Sequence, residues 1–203
     1  RTATGWGPQG YARRAAQVAG LAGLNPAPAF ADAQAAAYLN GEIVTLVDYA
    51  LALAPSPSTP LLRISPAINR VRAGEVFLAE IELQAGGRRV DRVEAHLNYD
   101  PAVLRVVDED GQPVAQVIPG PALATVRTNA ASNATGRIDY VAEGGPAQGR
   151  FVAAAVRFQA ITSTLASAVR FSDESPRASD ASLGGQSLAV DLRGGMVTAL
   201  PGA

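Results

Sequence analysis

Two neighbouring stretches of the chain alternate between apolar and polar residues with the period of a β-strand. Ala79, Ile81 and Leu83 fall on one face of the first stretch, and Glu80 and Glu82 fall on the other. The second stretch alternates in the same way, with an apolar face of Val93, Ala95, Leu97 and Tyr99 and a polar face of Arg92, Glu94, His96 and Asn98. Glycines in the intervening residues 85–88 predict a reversal that makes a hairpin of the two strands.

Shorter alternating stretches continue to the C-terminus and predict a sandwich. A turn at residues 100–104 leads back into a strand, and residues 129–136 form a polar loop. Ile138 and Tyr140 point inward from a strand that begins at Arg137. The remaining predicted strands cover residues 123–128, 151–160, 169–171, 188–192 and 196–200. The fold class is therefore mainly β, an antiparallel sandwich of about eight or nine strands over residues 61–203.

The predicted strand over residues 151–160 is apolar on both faces. Its inner face is predicted to carry Val152, Ala154, Val156 and Phe158. Its outer face begins with Phe151, Ala153 and Ala155 before polar residues return. A strand that is apolar on both faces is expected to be covered on both, so these three residues are predicted to form an interface.

Residues 1–54 predict an arm and a small helical segment. The arm, residues 1–10, carries the single tryptophan, Trp6, which packs locally or inserts into a neighbour. Helices are predicted at about residues 11–24, 31–39 and 45–54, and the last has an apolar stripe of Leu46, Val47, Ala50 and Leu51. So short and alanine-rich a segment buries too little surface to stand alone. The proline-rich linker of residues 55–60 separates it from the sandwich.

Several motifs of the sandwich resemble those of cohesin modules, the β-sandwich receptors of cellulosome-type assemblies. The motifs are a Val-x-x-Gly-Glu-x-Phe opening at residues 71–77, Leu-Asn-Tyr-Asp-Pro-Ala-Val-Leu at 97–104, and glycine-led stretches at 136–140, 149–158 and 194–198. The resemblance covers residues 61–199. It implies a jelly-roll sandwich that serves as a non-catalytic protein–protein assembly module, extracellular or on the cell surface.

Residues 40–53 resemble the second half of a dockerin repeat, the helical ligand of cohesins. Gly41, Ile43 and Asp48 match that pattern. The preceding loop positions hold Ala36, Tyr38 and Asn40, and only the last of these carries a polar amide. Calcium requires several oxygen ligands, so the resemblance implies a degenerate, metal-free dockerin-like segment. An unrelated helical hairpin is the alternative.

Composition excludes several classes of function. The net charge is −1, with no basic cluster, so nucleic acid is not an expected partner. The chain has no cysteine and one histidine, His96, which is expected to be a solvated cross-strand partner. Paired Glu80 and Glu82 are interpreted as a wet surface, and the acidic residues 108–110 as a solvated turn. Neither catalytic residues nor cofactors are therefore predicted, and no apolar stretch is long enough to cross a membrane.

Two hypotheses of function remain. The first is a self-assembling subunit of a cell-surface filament or array, in which the N-terminal helices of one copy dock head-to-tail on the sandwich of the next, or of a cohesin/dockerin-type partner. If the helices dock within their own chain instead, the protein is a compact monomer that presents its other faces to partners. The second is a carbohydrate-binding module, which would need exposed aromatic rings that the sequence supplies poorly. Asn133 begins an Asn-Ala-Thr glycosylation pattern, so the protein is expected to be a glycoprotein.

Overall fold

The computed structural model describes residues 59–202, which form two β-sheets packed face to face. The arm with Trp6, the predicted helices and the stripe of Leu46, Val47, Ala50 and Leu51 lie outside the described residues. The strands are β1 (Leu61–Ser65), β2 (Ile68–Arg72), β3 (Val76–Gln84), β4 (Val90–Asn98), β5 (Leu104–Val106), β6 (Ile118–Pro119), β7 (Thr125–Ser132), β8 (Arg137–Ala147), β9 (Arg150–Ala160), β10 (Thr164–Phe171), β11 (Asp180–Leu183), β12 (Gln186–Ser187), β13 (Asp191–Arg193) and β14 (Gly195–Leu200).

The strands divide between a first and a second sheet. The first sheet has the order β13-β1-β3-β9-β5, and the short β6 also pairs with β9. The second has the order β12-β11-β4-β10-β14-β2, with β8 beside β4 and β7 beside β8. All the pairs are antiparallel except β1 with β13 and β14 with β2. The predicted sandwich is therefore confirmed.

The predicted hairpin between β3 and β4 is wrong. β3 pairs with β1 and β9 in the first sheet, whereas β4 pairs with β8, β10 and β11 in the second. The glycines between them do reverse the chain, with positive φ at Gly86 and Gly87, but the reversal crosses from one sheet to the other. Alternation shows which face of each strand is buried. It does not show which strand lies alongside.

The core lies between the two sheets and follows the predicted inward faces. Ile81 and Leu83 from β3 meet Leu97 from β4 and Tyr140 from β8, all fully buried. Phe158 of β9 lies at the centre, with its ring edge-on to Tyr99 at a centroid separation of 5.3 Å. Aromatic rings from both sheets therefore fill the middle of the sandwich.

The described residues contain more strands than the eight or nine predicted. One reason is that β1, β2 and β11 lie where no strand was predicted. The other is that pairs such as β6 and β12 comprise two residues, too few to produce a visible alternation. The predicted polar loop at 129–136 is also partly wrong, because β7 runs to Ser132.

Candidate interaction surfaces

A bulge in β9 changes which of its residues face outward. Ile81 pairs with Ala154, but Glu82 pairs with Val152, so Ala153 is the extra residue. Beyond the bulge, the faces of β9 exchange: Phe151 pairs with Leu83 and packs on the core. The predicted faces were wrong here, because Phe151 and Ala153 turn inward and Val152 turns outward. Of the three interface residues predicted in this strand, only Ala155 remains on the outer face.

The outer face of the first sheet nevertheless carries exposed apolar side chains. Val76, Leu78 and Ile118 are each about two-fifths exposed, at 41%, 43% and 42%. Ile118 pairs with Ala155, so both lie on one row of this face. A groove of about 520 Å³ runs beside them, and we call this surface the groove face. The groove is lined by Val107, Asp108, Val114, Ala115, Gln116, Val117, Ile118 and Arg157.

Two asparagines, Asn129 in β7 and Asn133 in the turn that follows it, hold the wall of the groove in place. Asn129 accepts a hydrogen bond from Val117 N and donates one to Val117 O, both at 2.8 Å. Asn133 does the same to Val106, with distances of 2.7 and 3.0 Å. Each side-chain amide therefore satisfies both the N–H and the C=O of one backbone residue, as a neighbouring strand would do in a sheet. Sequence reasoning missed this role, since the pattern showed only a polar stretch.

Asn133 is more constrained than an ordinary glycosylation acceptor. Its Oδ1 also accepts from the Tyr99 hydroxyl at 2.8 Å, and its Nδ2 also lies 3.4 Å from Val114 O. Burial raises the pKa of Tyr99 to about 12, so that hydroxyl remains a donor. The amide nitrogen to which a glycan would attach is thus used inside the fold. Glycosylation at Asn133 stays a prediction.

A buried ion pair lies between β1 and β3 on the first sheet. Arg63 Nε donates to Glu82 Oε1 at 2.8 Å, and both side chains are 3% exposed or less. Arg150 adds a second contact to the same carboxylate at 2.6 Å. Burial alone would raise the pKa of Glu82, but the hydrogen bonds and charges of the two arginines lower it below its ordinary value. The predicted wet surface is therefore wrong at Glu82.

The outer face of the second sheet carries a lattice of ion pairs. Arg92 contacts Glu94 at 2.8 Å and Glu143 at 3.1 Å, and Glu143 also contacts Arg127. The hydrogen bond from Arg127 is the main reason that the pKa of Glu143 lies below its usual value. Because opposite charges satisfy one another within the face, this lattice offers few free charges to a partner.

His96 belongs to a second polar cluster on the same sheet. Its Nδ1 lies 2.6 Å from Asp139 Oδ1, across the β4–β8 register. Arg177 Nε donates to the same oxygen at 2.8 Å and anchors the loop before β11. Burial opposes ionisation of Asp139, but His96 and Arg177 lower its pKa below the ordinary value. The predicted cross-strand role of His96 is correct, but the ring is buried rather than solvated.

Three strands at the other end of the second sheet form another exposed apolar surface. Met196 of β14 pairs with Ile68 of β2, and both are more than a third exposed. Leu200 is 51% exposed on the same outer side, and Leu165 of β10 is 91% exposed. The described residues thus present large apolar side chains on two separate outer faces.

Other kinds of site find little support between residues 59 and 202. No group of three potential metal ligands occurs there, and Asp108 turns its carboxylate to the backbone amides of Asp110 and Gln112. All the aromatic residues in this range are at least half-buried, namely Phe77, Tyr99, Tyr140, Phe151, Phe158 and Phe171. They form no exposed platform for a sugar ring. Nor does this range include a helix that could cross a lipid bilayer.

Comparison with known proteins identifies the fold. Neither a family model nor a curated protein matches the sequence. Among solved structures, a type II cohesin domain from the cellulosome of Acetivibrio cellulolyticus matches with a TM-score of 0.56 at 17% identity, over 68% of this chain and 95% of that one. A non-cellulosomal cohesin from the archaeon Archaeoglobus fulgidus matches with a TM-score of 0.55 at 14% identity, over 70% and 91%.

A third similar structure is a type II cohesin crystallised in a Cohesin-X-Dockerin complex from Acetivibrio cellulolyticus. It matches with a TM-score of 0.54 at 15% identity, over 70% of this chain and 96% of that one. Identities this low establish the fold alone, and the share of each cohesin chain that is covered shows that the match spans the whole sandwich. The described part of this chain is a β-sandwich with the cohesin fold.

Proposed function

We propose that this protein is a non-catalytic protein–protein assembly module that acts outside the cell or on its surface. The observation that carries the proposal is the exposure of large apolar side chains on two outer faces of a well-packed sandwich, the groove face and the surface around Met196. Such patches on a stable domain mark contacts with other proteins. A cohesin of the same fold has been crystallised with a dockerin, which supports a helical segment as the kind of partner.

The chain itself supplies a segment of that kind. Residues 40–53 resemble part of a dockerin repeat, and the predicted stripe of Leu46, Val47, Ala50 and Leu51 requires an apolar surface to cover it. We propose that this stripe of one copy docks on the sandwich of the next. A contact between two different surfaces of identical subunits is heterologous and need not close into a ring. Assembly then produces a filament or array.

Light scattering coupled to size-exclusion chromatography, with negative-stain microscopy, tests this proposal on the full chain. The wild type is expected to form concentration-dependent oligomers or rods. Changing Leu46→Asp and Leu51→Asp together should leave monomers, because two charges on the stripe cannot be buried in an apolar contact. Ala52→Asp is the matched control, since residue 52 lies on the opposite side of the predicted helix. Rods that persist in the double variant would contradict the proposal.

No observation favours the carbohydrate-binding hypothesis. Sandwich modules that bind polysaccharides stack sugar faces on exposed aromatic rings, and the described residues expose none. Retention of the full chain on cellulose or chitin, if it occurred, would have to come from another kind of surface. Modification by glycans at Asn133 or in the linker of residues 55–60 is a separate proposal, which intact mass from a glycosylating host tests.

A further inference from the structure

The outer side of β2, β14 and β10 combines exposed apolar residues with arginines. Met196 lies in one row with Ile68 on one side and Ala168 on the other. Arg70 pairs with Thr198 in the next row, and Arg72 pairs with Leu200 in the row beyond. We call this surface the arginine face. Its residues are Ile68, Arg70, Arg72, Leu165, Ala168, Arg170, Met196, Thr198 and Leu200.

Charge is segregated on this face. The three strands contain Arg70, Arg72 and Arg170 and no acidic residue. All three arginines are exposed, and none is ion-paired with a described residue. Glu75, in the turn after β2, accepts a hydrogen bond from the backbone nitrogen of Arg72 at 2.8 Å.

Five of the other described arginines are ion-paired, namely Arg63, Arg92, Arg127, Arg150 and Arg177, whereas Arg88, Arg89, Arg105, Arg137, Arg157 and Arg193 form no ion pair with a described residue. Arg92 and Arg127 share the carboxylate of Glu143, and Arg177 contacts Asp139. A surface that repeats unpaired positive charges between apolar side chains is suited to a partner that is acidic and apolar at once. The ion-pair lattice on β4 and β8 lacks this property.

Part of the N-terminal segment has the complementary character. Residues 31–54 contain Asp32, Glu42 and Asp48 and no basic residue, so their formal charge is −3 against +3 on the arginine face, whereas the basic residues of the segment all lie within residues 1–14. The same residues include the apolar stripe around Leu46 and Leu51. We propose that the arginine face of one copy is the docking surface for residues 31–54 of a second copy.

This inference rests on the proposed function and specifies its receptor surface. The segment joins the sandwich at β1, in the first sheet, whereas the arginine face belongs to the second. Donor segment and receptor face are therefore different surfaces of each copy, as head-to-tail growth requires.

Charge reversal on the full chain tests the inference by light scattering and sedimentation velocity. Arg70→Glu with Arg72→Glu is expected to weaken self-association at least about tenfold, because attraction becomes repulsion. Wild-type association should also weaken as salt rises from about 0.05 to about 0.5 M, since the pairs are solvent-accessible. Arg88→Glu with Arg89→Glu changes the same charge in an exposed turn and should leave association unchanged.

Complementation distinguishes this contact from a general charge effect. A second variant, Glu42→Arg with Asp48→Arg, should also be monomeric on its own. Mixed with the Arg70→Glu, Arg72→Glu variant, it should form alternating oligomers, because the wild-type segment meets the wild-type face in one contact and the two sets of reversed charges meet in the other. A single chain that carries all four changes should recover self-association.

Different outcomes would contradict the arginine face as the receptor and the assembly function itself. If the arginine-face variant assembles like the wild type while Leu78→Asp with Ile118→Asp abolishes assembly, the groove face is the receptor, and the inference fails although the assembly function stands. If the mixture stays monomeric, the segment does not dock on the arginine face of a second copy. If the wild type is monomeric at every concentration, the assembly function fails first.

Discussion

Replacing Asn133 by alanine is expected to destabilise the sandwich even though the residue lies in a surface turn. The change removes the acceptor of the Val106 backbone N–H and the shorter of two hydrogen bonds of the Tyr99 hydroxyl, which keeps Ser132 O at 3.3 Å. Val106 is 1% exposed and Tyr99 is 6% exposed, so water cannot easily replace the lost oxygen. Val106 O still accepts from Val114 N at 3.2 Å, so the loss falls mainly on the two donors.

The magnitude follows from those two donors. An orphaned buried backbone N–H costs about 1–3 kcal/mol, and a lost hydrogen bond from a hydroxyl costs about 1 kcal/mol. The sum is about 2–4 kcal/mol. For a domain of this size, each kcal/mol lowers the Tm by roughly 3 °C, so Asn133→Ala is expected to lower it by about 6–12 °C.

Thr135→Ala is the matched control for calorimetry or thermal circular dichroism. It destroys the same glycosylation pattern but leaves the Asn133 amide intact, and the Thr135 side chain is exposed. Its Tm should stay within about 1 °C of the wild type. If both variants melt together in protein from a non-glycosylating host, the amide contacts carry no stability and the reasoning is refuted.

Three further variants probe other contacts. Arg177→Ala should speed amide exchange in residues 172–179 and cost about 1–2 kcal/mol, since the guanidinium ties that loop to the sheet; unchanged exchange would contradict this. Glu82→Gln should cost about 3 kcal/mol in urea unfolding at neutral pH, because Arg63 loses a buried carboxylate partner. The pKa of Glu82 is lower in the folded than in the unfolded state, so its ionised carboxylate stabilises the fold at pH values above the unfolded-state pKa. This stabilisation is lost as the pH falls through the folded-state pKa, and the difference in unfolding free energy between variant and wild type should therefore shrink in acid. Asn129→Ala should loosen the groove wall at Val117 by about 1–3 kcal/mol, seen as faster exchange of that amide, and should leave the Arg177 loop unaffected.

Alternation of residue types was enough to predict the sandwich and the inner faces of most long strands. Ala95 and Leu97 of β4 and Ile138 and Tyr140 of β8 are all fully buried, as the pattern indicates. The same pattern could not assign strands to sheets. A strand buries one face whether its neighbour in sequence lies beside it or across the core, so β3 and β4 look the same in either arrangement.

The candidate interface was harder to predict for a related reason. The prediction for β9 assumes unbroken alternation along the strand. The bulge adds one residue, so the residues on its N-terminal side point to the opposite face from the one predicted. Nothing in Phe151–Ala155 marks the bulge, because all five residues are apolar. The asparagine contacts were equally invisible, since a side chain that pairs with a distant backbone leaves no local periodicity.

The bulge also changes what the apolar character of β9 means. A strand whose faces exchange partway along needs apolar residues at positions of both parities, so that Phe151 on one side of the bulge and Phe158 on the other both reach the core. The apolar residues on both faces of β9 are thus largely explained within the sandwich and do not require a partner over the strand.

The surfaces expected to bind a partner are instead those whose apolar side chains remain exposed in the folded sandwich. Of these, the arginine face carries three arginines and no acidic residue, whereas the groove face combines Arg157 with Asp108. Residues 31–54 carry three acidic residues and no basic one. For that reason, charge reversal at Arg70 and Arg72 tests the assembly more directly than any change in β9.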